Sequence, residues 1–207
     1  MMKFKNVVFV LLFVLFIVIL ISLTRKPKMQ NYIDLLPVGN PWPLRPVEGI
    51  EDITVHHTAT PETSSLDAIA RGHKERWGFG IAYHYCIKQG IIYKTNNWNA
   101  YSYHNGYNNK KAIAISVFGN YENIELSKEN ERALKVLIKY LKREIKSIKY
   151  LMSHREYEFA TACAGRNIDM NYFREQTNMI QRPMQQALGI AAVEMDTLTG
   201  VKWDADN

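Results

Sequence analysis

Residues 112–119, AIAISVFG, form an unbroken apolar run of strand length, and a run of this kind is typical of a central strand buried on both faces. Such a strand needs partners beside it and layers on either side. Upstream, Ile53, Thr54, Val55 and His56 make a short β-branched run that leads into the turn HTATP. Ser64 or Ser65 can cap a following helix in which Leu66, Ile69, Ala70, His73 and Trp77 share one face, with Gly78 and Gly80 ending it. Residues 81–88 and 91–94 flank Gln89-Gly90, a two-residue hairpin pair, so an antiparallel pair of strands is expected. Downstream, Ser127 opens an amphipathic helix. Leu134, Leu137, Ile138, Leu141, Ile145 and Ile148 line one side of it, and Lys135, Lys139, Lys142 and Lys146 another, a stripe read as a solvated face. Residues 150–153 read as a short strand, 155–166 as a loop and 171–180 as a final short helix. The order strand, helix, hairpin, strand, helix, strand predicts an α/β domain with a mixed central β-sheet flanked by helices.

Residues 1–24 differ in kind. Lys3 and Lys5 precede residues 7–23, which are apolar except for Ser22. That length is at the short end of the roughly 17 to 25 residues that span a bilayer and exceeds the roughly 7 to 15 of a cleavable signal core. No small-x-small cleavage site follows. The segment is expected to be an uncleaved N-terminal transmembrane signal-anchor, its N-terminus in the cytoplasm and the remaining chain on the extracytoplasmic, periplasmic side. Residues 25–50 hold five of the seven prolines and suit an extended linker or an arm packed along the domain surface. The domain is expected over 51–180. Residues 181–207 lose periodicity, end in acidic residues and read as a tail.

The balance of 26 basic against 20 acidic residues, +6, favours an anionic partner: a cell-wall polymer, a lipid surface or nucleic acid. No nucleic-acid motif accompanies it, so no nucleic acid is expected. With only Cys86 and Cys163, a disulfide scaffold is excluded. His56 ends one expected strand, His154 follows another, and Cys163 lies in the loop after it. Two imidazoles and a thiolate suit a zinc site with one position open. Taken singly, each residue is more often a hydrogen-bonded core or surface histidine or a small buried thiol than a ligand, and the spacing alone leaves both readings open.

The stretches VHHTAT, GIAYHYCIKQG, SYHNGYN and SHREYEFATACAG, in this order over roughly residues 50–175, resemble the zinc amidases of the peptidoglycan recognition family, which includes phage amidase-type lysozymes. In that family a V-H-x-[ST]-A strand end supplies one zinc histidine. A Y-H-[FY] hairpin supplies a catalytic tyrosine, and H-R-[DE] followed by [TK]-x-C-P-G supplies the other two ligands. The resemblance implies Zn2+ held by His56, His154 and Cys163, with Tyr83 as the catalytic tyrosine. It also implies Thr161 as a hydroxyl aimed at the oxyanion, where some relatives use lysine. His104, with Tyr107 and Asn108, is implied as substrate contact. The implied reaction is hydrolysis of the amide between N-acetylmuramic acid and L-alanine in peptidoglycan, by a monomeric enzyme. Two departures stand out: Ala164 where the family has proline, and a one-residue insertion around residues 109–111. His84, adjacent to Tyr83, is expected to be buried and structural, His73 to pack in the core, and Cys86 to be a buried free thiol.

Overall fold

The computed structural model describes residues 8–17, 26–33, 35–36, 39–157 and 160–183. Its six strands are β1 (Met29–Asn31), β2 (Asp52–His57), β3 (Tyr85–Lys88), β4 (Ile91–Lys94), β5 (Ala112–Val117) and β6 (Tyr150–Ser153). They form one mixed sheet in the order β1-β4-β3-β5-β2-β6. The apolar run is β5, every residue of it buried, parallel to β3 on one side and β2 on the other. Its place inside the sheet is what a near-continuous apolar strand requires. The hairpin β3–β4 is antiparallel, turning on Gln89 and Gly90 at φ 51° and 74°, the pair of positive values that a two-residue type I′ turn demands.

Alternation along the strands gives the sheet two unlike faces. Ile53, Val55, Tyr85, Ile87, Ile113, Ile115, Val117 and Leu151 join the main core with Leu134, Leu137, Ile138 and Leu141 of α3 (Lys128–Glu144). Each such fully buried side chain contributes about 1.5–3 kcal/mol. The opposite face carries Asp52, Thr54, His56, Ala112, Ala114 and Ser116, all buried but small or polar. The segment 98–111 lies over this face, with Asn105 Nδ2 donating to Thr54 Oγ1 at 3.2 Å. Helix α2 (Leu66–Trp77) adds a smaller core of Leu66, Ala70, Ile81, Cys86 and Phe118. Ser65 caps α2 and Ser127 caps α3 through side-chain bonds to Ala68 N and Asn130 N.

Several expectations need correction. The strand expected over 81–88 begins only at Tyr85, because the carbonyls of Ile81 and Tyr83 accept Asn96 Nδ2 (2.6 and 2.7 Å) and Thr95 Oγ1 (2.7 Å to Tyr83). The last helix, α4 (Met170–Thr177), stops before Asn178, which is left-handed at φ 51°. The lysine stripe is only partly a solvated face: Lys142 Nζ caps the carbonyls of Thr177 and Asn178, and Lys135 Nζ reaches Tyr172 Oη at 3.2 Å, both docking α4 on α3.

The chain before Glu51 is a fitted arm. Strand β1 pairs with β4, Asn40 and Leu44 bridge to Phe79 and Ala100, and Trp42 stacks on Phe79 with ring centroids 4.5 Å apart. Arg45 is buried beneath the segment 98–111. At the other end, Arg182 binds Asp52 and Glu51 and lies over the Tyr150 ring, so the tail begins as a clamp on the sheet; residues 184–207 lie outside the described residues. Of the expected anchor, residues 8–17 are helical (α1) with exposed apolar side chains, and the remainder lies outside the described residues. No helix among the described residues is long and apolar enough to cross a membrane.

Candidate metal centre

Strands β2 and β6 are parallel neighbours, so their C-terminal ends reach the same edge of the sheet. His56 is the penultimate residue of β2, and His154 is the first residue after β6. Cys163 is brought to them by a loop closed with a bond from Arg155 N to Cys163 O, 2.6 Å. The ligand atoms of His56, His154 and Cys163 all lie within 4.8 Å of one another, a group that could hold a metal ion. Cys163 Sγ is 3.5 Å from His56 Nδ1 and accepts the His57 backbone N–H at 3.4 Å. Gly165 makes the loop possible: at φ 97°, any Cβ there would stand 2.5 Å from the Tyr121 backbone.

The histidine turn is braced from below. Glu156 Oε2 accepts Ser153 N at 2.6 Å and Ser153 Oγ at 3.0 Å, and the Arg174 guanidinium grips both oxygens of the same carboxylate. The S-x-x-E spacing of Ser153 and Glu156 is a legible cap signal; its Arg174 partner is not. Burial, then the neighbouring His154 and His57, hold His56 well below its ordinary pKa, so its imidazole is neutral as a metal ligand must be. Burial pushes the Cys163 thiol up to about 12, against the pull of the His57 N–H. A bound cation is therefore what would make it a thiolate.

Tyr83 stands beside this group, its ring centroid 5.3 Å from that of His56. Burial, then the nearby Cys163 and Cys86, raise its phenol above the ordinary value, so at neutral pH it is a hydrogen-bond donor. His73 supports it from behind: Nδ1 accepts Ala82 N at 2.9 Å, and the ring lies 5.2 Å from that of Tyr83. Burial, with Arg76 adding to it, lowers His73 to about 4, so this contact is between neutral groups. Thr161 Oγ1 accepts Cys163 N at 3.2 Å, which orients the hydroxyl and leaves its proton to donate.

The residues expected to contact substrate lie in the segment over the sheet. His104 and Asn108 are buried, 8% and 5% exposed. His104 Nδ1 is 3.2 Å from His56 Nε2, so the contact it makes is with a candidate ligand. Tyr107 belongs to the 3-10 turn Gly106–Lys111, and its side chain is not among those described. His84 is buried, its Nδ1 accepting Ala114 N and its Nε2 near Arg45 and Ala100 O. Cys86 is buried and free.

The family model described as N-acetylmuramoyl-L-alanine amidase matches residues 46–169. No curated protein is a significant match to the chain. Among solved structures, the N-acetylmuramoyl-L-alanine amidase LysC from Clostridium intestinale URNW is 27% identical, with TM-score 0.64 over 74% of this chain and 99% of that one. The Ph2119 endolysin from the Thermus scotoductus MAT2119 bacteriophage is 22% identical, with TM-score 0.60 over 72% and 99%. Bumblebee PGRP-SA is 19% identical, with TM-score 0.65 over 76% and 100%. The last two share the fold.

Proposed function

The chain belongs to the N-acetylmuramoyl-L-alanine amidase family, and on that premise we propose that it hydrolyses the amide between N-acetylmuramic acid and L-alanine in peptidoglycan, using zinc held by His56, His154 and Cys163. The observation that carries this is the convergence of two imidazoles and a thiol at adjacent strand ends, with Tyr83 beside them. The donor set fits the ion. Tetrahedral zinc with bonds of about 2.3 Å to sulfur and about 2.0–2.1 Å to nitrogen separates those ligands by about 3.5 Å, and Cys163 Sγ stands 3.5 Å from His56 Nδ1. Three protein ligands are also the number that leaves a position for substrate chemistry.

When bound, zinc supplies a Lewis acid for the scissile carbonyl and lowers the pKa of water in the site to about 7. The chain's own residues do the rest. The Tyr83 phenol donates to the oxygen on which charge develops, and the Thr161 hydroxyl donates to it as well, oriented by the bond it accepts from Cys163 N. Glu156 and Arg174 hold the His154 turn, so the ligand need not reorganise during reaction.

The test is zinc content of the full chain in detergent together with release of new N-terminal alanine from purified peptidoglycan. One equivalent of zinc and alanine release support the assignment. A chain that binds peptidoglycan but releases no alanine would be a recognition protein instead. Tyr83→Phe is expected to keep its zinc and lose roughly 10²–10³ in kcat, the usual cost of removing one oxyanion donor; a variant as active as the parent would remove Tyr83 from the chemistry.

For location, residues 1–24 act as a membrane anchor that leaves the amidase domain outside the cytoplasmic membrane. The exposed apolar side chains of α1 support this. Fractionation of the full chain decides it: a mature protein beginning near residue 25 in the soluble fraction would show a cleaved signal.

A further inference from the structure

We infer that His104 is a positioning residue for the metal site, accepting the ring N–H of His56 and so fixing the tautomer and aim of that ligand. This rests on the zinc assignment above and assigns His104 a role other than substrate contact. His56 presents Nδ1 toward Cys163 Sγ at 3.5 Å and Nε2 toward His104 Nδ1 at 3.2 Å. A metal on Nδ1 leaves the proton on Nε2, so Nε2 is the donor and His104 Nδ1 the acceptor. The proton of His104 then sits on its own Nε2, which is buried and makes no hydrogen bond among the described residues. The polar contact available to this ring is therefore His56.

The surrounding structure holds that acceptor still. Asn109 Oδ1 takes the backbone N–H groups of His104 (2.9 Å) and Asn105 (2.7 Å). Asn105 in turn binds Thr54, two residues before His56 on β2. Arg45, reaching in from the arm, donates to Trp98 O at 3.3 Å, to Ala112 O at 2.7 Å and to Asn109 O, tying down both ends of the segment that carries His104. Ligand histidines usually give their second N–H to a carboxylate, a backbone carbonyl or water; here the acceptor is a neutral imidazole delivered by a loop.

Two variants separate this role from packing. His104→Leu fills space without an acceptor, while His104→Asn keeps an acceptor atom at the δ position. Zinc affinity of the full chain in detergent is measured by chelator competition, with thermal melting of the metal-free forms alongside. His104→Leu is expected to weaken zinc binding about 10–100-fold, and His104→Asn to stay close to wild type. At saturating zinc, KM for a muropeptide should not change. Equal affinities in all three chains overturn the inference, as does a raised KM with unchanged zinc affinity, which would make His104 a substrate contact. Should His104→Leu not fold, long-range 1H–15N correlation on the zinc-loaded wild type reads the tautomers directly: a proton on His104 Nδ1 overturns the role, and a proton on His56 Nε2 facing a bare His104 Nδ1 supports it. A wild-type chain that takes up no zinc overturns the zinc assignment itself, and the role of His104 with it.

Discussion

Cys163→Ala is expected to strip the chain of zinc and reduce amide hydrolysis to background. The methyl group cannot ligate, and two imidazoles alone leave the site one donor short of the three that a catalytic zinc centre uses. Lewis-acid stabilisation of the developing charge is worth several kcal/mol, and 1.36 kcal/mol is a tenfold change in rate, so the loss should exceed about 10³-fold. The fold should survive. The closure of the loop comes from Arg155 N on the Cys163 carbonyl and from Gly165 against Tyr121, neither of which needs the thiol. Zinc content and alanine release are the measurements; one bound equivalent with wild-type turnover would refute the ligand role.

Arg182→Leu is expected to cost about 3–5 kcal/mol of stability at neutral pH, the usual result of stranding one partner of a buried ion pair. Asp52 is fully buried in β2 and receives Arg182 Nη2 at 2.7 Å and Tyr157 Oη at 2.8 Å. Burial raises the Asp52 carboxyl above its ordinary pKa, with Arg182 the strongest opposing influence, so removing Arg182 raises it further. An acid whose pKa is higher folded than unfolded binds more protons in the folded state, and its burden on stability therefore grows as pH rises from the unfolded value toward the folded one. The deficit of the variant should be smallest below about pH 3.9, the ordinary aspartate value, and should grow as pH rises above it. At about 2–4 °C per kcal/mol for a chain of this size, melting should fall by roughly 10 °C at neutral pH. Thermal melts of both metal-free chains across pH check this; a deficit independent of pH would mean that Asp52 is not the stranded charge.

Much of the fold was legible because its signals are local. The apolar run of residues 112–119, the caps at Ser65 and Ser127 and the Gln89-Gly90 turn each report on a window of a few residues, and each element forms where its window points. The candidate trio His56, His154 and Cys163 was singled out through ordered motifs, although spacing alone left packing and metal equally open; the structure brings the three together. What failed lay where side chains compete with the backbone, as at residues 81–84, where Thr95 and Asn96 take the carbonyls that a longer strand would have used.

By itself, then, the sequence determined the α/β class, the order of elements and the residues able to ligate a metal, since these follow from periodicity, capping chemistry and donor type. Tertiary structure alone decided the rest: that His104 faces His56 across 48 positions, that Arg45 anchors Ala112 across 67, and that Arg182 closes on Asp52 across 130. The reason is physical. Each of these contacts exists because the parallel strands β2, β5 and β6 lie side by side, leaving buried polar groups that must find partners, and no local pattern encodes which distant chain segment will supply them.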